Sequence, residues 1–331
     1  MTANGRVMVS LAPNFLSVAL AAMLAAGAAG AAETAQVALP SERAFPENLT
    51  STRDGTLYVS SIAQGGIWRA AAGAAAAEPW LAPGADGTRS TFGLLADEGR
   101  GLLWVCSTDV SGWGIPTPGN ATGSTLKAFQ LATGQLKASA ALPGEAAACN
   151  DIAIAADGAV YVSDVIGSRV LKLKPDWTGF DVWAADERFT PPPNQGGVDG
   201  LTFGDDGALY LTTFGKGQLF KVAVAKDGAA GEITELKPSR PLVLPDGMRP
   251  YGAGRFLLAE GGGTLDLVTV EGDTARIETL KDGLAGPVGV TQVGDTAWVA
   301  EGQLVLLFDQ ALKDQKPSLP FRIVAVPLAP R

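Results

Sequence analysis

The stretch ACNDIAIAADGAVYVSD, residues 148–164, reads as two short apolar strands around an Asp-Gly pair, a pair that suits a tight hairpin turn. Two polar residues, Asn150 and Asp151, open the first strand. An amide and a carboxylate heading a buried strand need a partner, because burying them unpaired is costly. The pattern recurs five more times: FPENLTSTRDGTLYVSS, STFGLLADEGRGLLWVCS, GVDGLTFGDDGALYLTT, LPDGMRPYGAGRFLLAE and GPVGVTQVGDTAWVAE. Each copy has a strand, a turn and a second strand carrying an aromatic. Those aromatics are Tyr58, Trp104, Tyr161, Tyr210, Phe256 and Trp298, spaced 42 to 57 residues apart. Repeats of this period predict an all-β chain, a six-bladed β-propeller with four-stranded blades around a central channel. In the third repeat SRVLKLKP and FDVWAAD supply the outer strands; in the fourth, GQLFKVAV and GEITELKP do. FRIVAVPL at the C-terminus, or QVAL near the N-terminus, completes a blade and closes the ring, which removes exposed edges. A pair of β-sandwiches would give no reason for six similar units.

The aromatics also set a register. Eleven residues before the first four, and ten before the last two, stand Glu47, Gly93, Asn150, Asp199, Asp246 and Val288. All six fall at the start of an innermost strand, where a propeller rings the mouth of its channel. Three carboxylates and one amide crowded there repel one another, and a divalent cation removes the conflict. An all-oxygen donor set suits Ca²⁺ first and Mg²⁺ or Mn²⁺ next, with Zn²⁺ a less natural fit. Taken one at a time, the same residues read as turn caps or water-binding groups in an open channel.

The sequence also excludes much. With 34 Asp and Glu against 25 Lys and Arg, the net charge is -9, which argues against nucleic acid and anionic membranes as partners. Histidine is absent, so no His-based triad or His metal site exists. Residues 1–32 carry an early Arg6, an apolar run and an Ala/Gly stretch. They read as a secretory signal cleaved near Ala31 or Ala32, or else as an Ala-rich tail. The signal reading leaves residues 37–331 as the propeller domain, in a periplasmic or secreted protein. In that compartment Cys106 and Cys149, expected on one face in neighbouring blades, either form a disulfide or stay as buried thiols. Asn48 and Asn120 stand in glycosylation patterns, relevant only to a eukaryotic secretory route.

Over nearly all of this domain the sequence resembles the senescence marker protein/gluconolactonase (regucalcin-like) family of six-bladed propellers. PENLTSTRDGTLYVSS looks like the family's first blade, whose Glu binds metal; CNDIAIAADG looks like the blade with an Asn near metal and substrate. LPDGM is the closest local match, and VDGLTFGDDGALYLTT matches the blade that usually presents Asn-Gly. The resemblance implies that Glu47, Asp199 and Asp246 bind metal, that Asn150 assists, and that Asp246 is also the base. Two departures stand out. Asp199 replaces an expected Asn, and no Arg precedes Asn150, where sugar-lactone members often place one; Cys149 is there instead. The metal site carries over better than the sugar specificity.

A metal-dependent hydrolase of lactones or related esters follows from this, with cation-activated water and Asp246 as base, Asp199 being the rival base. The expected partner is a small lactone or ester, and the expected state a monomer. The alternative is a non-catalytic periplasmic propeller that binds a small ligand or protein. Two insertions, residues 108–124 and 187–197, are expected over the same mouth, as a lid walled by Trp113 and Phe189 or as plain surface loops. Asp151, on an alternating strand, is expected to point away from Asn150. With Asp164, Glu260 and Glu301 it is expected to serve turns or hydrogen bonds.

Overall fold

A computed structural model describes residues 35–312 and 314–329, so the predicted signal at 1–32 lies outside the described residues. Nearly every regular element is a strand. The repeats fold as four-stranded antiparallel sets, the first five running outward from the axis in chain order. In the third set these strands are Cys149–Ile154, Val160–Asp164, Arg169–Leu173 and Phe180–Ala185. Five sheets result, because the fourth and fifth sets join through parallel pairing of their outermost strands, at Lys237 with Thr274 and Pro238 with Ala275. The last set takes both candidate closing segments. Phe321–Pro327 is its third strand, and Gln36–Leu39 pairs on the outside as the fourth. This is the predicted propeller arrangement. Among the described residues no helix is long and apolar enough to cross a membrane.

Local chemistry explains the hairpins. Asp54, Asp157 and Asp206 each accept the backbone N–H two residues on, at 3.0, 2.9 and 3.1 Å, and the following Gly55, Gly158 and Gly207 take positive φ. The apolar cores lie between neighbouring sets, where both sheet faces are covered. Tyr161 packs against Phe203 at 5.1 Å and Tyr210 against Phe256 at 4.5 Å, each contact crossing from one set to the next. Five of the six repeat aromatics are buried, while Trp298 is half-buried.

The innermost strands approach one another too closely for side chains. A Cβ on Gly93 would meet the Asn150 carbonyl oxygen at 2.1 Å; one on Gly200 would meet that of Asp246 at 2.1 Å. Gly247 faces Val288 in the same way at 2.7 Å, and Gly289 faces the Asn48 Cα at 2.9 Å. That last contact joins the sixth set to the first. Cys106, in the second strand of the second set, forms a disulfide with Cys149 in the third, as one of the two sequence readings expected.

Candidate active site

Five of the six innermost strands are irregular where the register places their axial residue; that of the first set, Leu49–Ser51, pairs without a slip. Pairing slips between Thr91 and Leu94, Cys149 and Ile152, Val198 and Leu201, Pro245 and Met248, and Pro287 and Gly289. A bulge of this kind breaks the alternation of side chains and re-aims two successive residues. It also strands backbone amides. Ser163 on the second strand accepts from the Asp151 N–H at 2.8 Å, and Ser60 from that of Asn48 at 2.8 Å.

The four predicted residues come together. Asn150 Nδ2 donates to Asp199 Oδ1 at 2.9 Å, and Asp199 and Asp246 share a side-chain hydrogen bond. Glu47 stands within electrostatic reach of both acids and is 2% exposed, with its Oε2 buried and without a hydrogen-bond partner. Burial is the largest cause that raises the proton affinity of all three acids. Asp199 rises to about 8, with the Asp151 charge as second cause. Asp246 and Glu47 are pushed well above the usual carboxylate range, each next by the charge of Asp199. Gly93 and Val288 complete the register without charge, on either side of Glu47 in ring order.

These groups suit a hard cation in donor chemistry, since all are oxygen ligands and one buried oxygen lacks a partner. Among the described residues, however, no three His, Cys, Asp or Glu side chains stand as a ready-made metal cluster. The ring is thus a buried cluster of acids with an amide bonded to one of them.

Asp151 departs from expectation. It serves hydrogen bonds, as one reading expected, but to residues of the first, fourth and fifth sets and not to a neighbouring loop. Arg249 Nη1 donates to its Oδ2 at 2.8 Å and Nη2 to its Oδ1 at 3.0 Å. Asn48 Nδ2 donates to the same Oδ1 at 3.3 Å, and Asn48 Oδ1 accepts from Arg249 Nη2 at 3.1 Å. The Leu201 N–H supplies a fourth donor at 3.2 Å. Sequence reading missed Arg249 and Asn48. The signal available was that both lie within a few residues of the axial positions Asp246 and Glu47. Asn48, almost fully buried in this network, is no surface glycosylation acceptor. Beyond the network, at the opposite mouth, is a cavity of about 340 Å³ lined in part by Ile154, Phe203 and Arg249. Its charged walls are paired within the protein, Arg53 with Glu98 and Arg249 with Asp151.

The strand-end acids take hydrogen-bonding roles. Asp164 binds Arg169 at 2.9 Å and the Ala148 N–H at 2.9 Å; Glu301 binds Arg322 at 2.9 Å and the Ala285 N–H at 2.9 Å; Glu260 binds Arg240 at 2.8 Å and the Val243 N–H. Each fastens the loop that leads into its own innermost strand.

The expected lid divides in two. Phe189 is fully buried and packs edge-on against Phe220 at 5.0 Å, so it belongs to the core between the third and fourth sets and walls nothing. The reason is local: Asp186 accepts the Arg188 N–H, turning Glu187–Phe189 inward. Trp113, by contrast, is 41% exposed.

No family model matches this sequence, and no curated protein matches it. Its fold is shared by solved structures. A catalytically inactive virginiamycin B lyase from Staphylococcus aureus, solved with quinupristin, is 17% identical over 88% of this chain and 83% of that one, with a TM-score of 0.58. A gluconolactonase from Xanthomonas campestris is 15% identical over 89% and 88%, with a TM-score of 0.60. Regucalcin from Agrobacterium tumefaciens, described as a calcium-binding protein, is 15% identical over 89% and 95%, with a TM-score of 0.61. At such identities the likeness establishes the propeller fold alone.

Proposed function

We propose that this protein hydrolyses lactones or related esters at the acid ring, with a divalent cation, Ca²⁺ by preference, held by Glu47, Asp199 and Asp246. The observation that carries this reading is the convergence of three buried carboxylates and an amide at equivalent innermost-strand positions, one oxygen having no partner in the protein. A scaffold gains nothing from such crowding, whereas perturbed acids grouped in one place mark functional sites. The fold neighbours include a gluconolactonase and regucalcin, which supports placing the chain with that group of propellers.

When bound, the cation supplies Lewis acidity to the carbonyl and acidity to water. Asp246 acts as general base. In that role its carboxylate takes a proton from the attacking water. It then returns that proton to the departing alkoxide as the ring C–O bond breaks, leaving a hydroxy acid. Asn150, tied through Nδ2 to Asp199, keeps its Oδ1 free to orient the reacting groups.

The protein works outside the cytoplasm once residues 1–32 are removed. The Cys106–Cys149 disulfide supports an oxidising compartment. Metal analysis of the purified protein, with a lactone panel assayed with and without chelator, tests the whole reading. The expected result is one bound divalent cation and hydrolysis abolished by chelator. Chelator-resistant hydrolysis overturns the role of the cation, and metal binding with no lactone or ester cleaved overturns the hydrolase.

A further inference from the structure

Both loops that flank the first set on the acid-ring face carry exposed aromatics. Thr108 pairs with Ser90 and Glu301 with Pro287, so the segments after Thr108 and after Glu301 emerge beside the starts of innermost strands, at the mouth that holds the ring. Trp113 belongs to the second set's loop and Phe308 to the sixth's. Their rings meet edge-on at 6.1 Å, although the first set lies between those two in ring order. Trp113 also meets Phe92 at 6.4 Å, and Phe92 directly precedes the axial Gly93. At the other end of the span, Gly302 leaves room for no side chain against the Pro46 carbonyl oxygen, one residue before Glu47. An aromatic span therefore crosses the first set beside Glu47. Trp113 and Phe308 remain 41% and 43% exposed, and Val305 on the same short helix 49%.

The ring beneath matches this asymmetry. Its third, fourth and fifth positions are Asn150, Asp199 and Asp246; the positions flanking Glu47 are Gly93 and Val288. Two acids and the amide are thus grouped on one side of the mouth, and Glu47 stands on the other between two uncharged positions, under the aromatic span. From this we infer that the substrate is bipartite: its reacting carbonyl faces the acids, and the rest of it is an apolar, flat or acyl body that rests on Trp113 and Phe308. A polyhydroxylated lactone would leave its hydroxyls unpaired against these rings, at a cost for each. Trp113 and Phe308 are the specificity-determining residues, and they touch the body of the substrate, not its reacting atoms. This inference rests on the hydrolase reading above.

The test compares dihydrocoumarin, δ-valerolactone and glucono-δ-lactone, all of which are six-membered lactones. Dihydrocoumarin should be hydrolysed with the highest kcat/KM and glucono-δ-lactone with the lowest. Trp113→Ala should raise KM for dihydrocoumarin about tenfold with kcat little changed, since it removes apolar contact away from the chemistry. The same variant should change KM for δ-valerolactone by less than about twofold, and Trp113→Phe should recover most of the loss. Preference for glucono-δ-lactone, or an equal effect of Trp113→Ala on all three, overturns the inference. If no lactone is cleaved, the hydrolase reading has failed, and the apolar site is then judged by binding of chroman, which has no carbonyl to attack. Binding by the native protein that is lost in Trp113→Ala retains the site; no binding at all removes it.

Discussion

Two groups of buried carboxylates lie one layer apart on the same axis, and they are settled in opposite ways. Asp151 is fully buried and receives four donors, two of them from the Arg249 guanidinium. Its charge is matched and its oxygens are satisfied. Glu47, Asp199 and Asp246 are buried almost as deeply, yet among the described residues no cation bonds to any of them, and burial raises the proton affinity of all three. A paired buried charge is a structural member whose removal leaves its partner stranded. An unpaired buried cluster costs stability and is kept for what it binds. The same residue type is thus paired for the fold in one group and, on the proposed reading, left for the chemistry in the other.

The sharpest way to break this contrast is to remove a carboxylate from each layer. Asp246→Asn should cut lactone hydrolysis by about 10²- to 10⁴-fold, the range for loss of a general base, with the circular dichroism spectrum unchanged. Next in size, Asp151→Ala should destabilise the protein by about 3–5 kcal/mol in urea melts, because the Arg249 charge is left buried and alone. Equal destabilisation by the two substitutions would mean that both layers are structural.

A smaller effect of opposite sign is expected at Asp199. In chelator and above about pH 8, where Asp199 is ionised, Asp199→Asn should stabilise the fold by about 1–2 kcal/mol, since it removes a buried repelling charge while retaining an acceptor for Asn150. A pH series sharpens the point. Asp199 holds its proton in the fold up to about 8, whereas an unfolded Asp releases it near pH 4. Between those values the folded chain carries the extra proton, so stability should fall as pH rises from about 4 to 8. Asp199→Asn should flatten that slope. Ca²⁺ should raise the Tm most at the alkaline end, by an amount that grows with concentration above its Kd. A Tm independent of pH across this window would contradict the unpaired state of the ring.

Repeat spacing and the aromatic ruler were sufficient to read the propeller and to place Glu47, Asn150, Asp199 and Asp246 at equivalent positions, because both follow from the period of the chain. Asp151 shows where such reading stops. Alternation predicted that it faces away, but the bulges re-aim successive residues, and a bulge is a property of two strands paired together. Arg249 was invisible for a related reason: its partners Asp151 and Asn48 are 98 and 201 residues distant, so only closure of the ring joins them. The lid aromatics divide likewise. Trp113 and Phe189 look alike as loop residues, and only packing sends Phe189 into the core against Phe220 while leaving Trp113 at the surface beside Phe308. What the chain settled by itself is periodic and local: strands, turns, the repeat and the acids in register. Which charges are paired and which aromatics are exposed was decided by contacts between distant blades, since those depend on geometry that no single repeat contains.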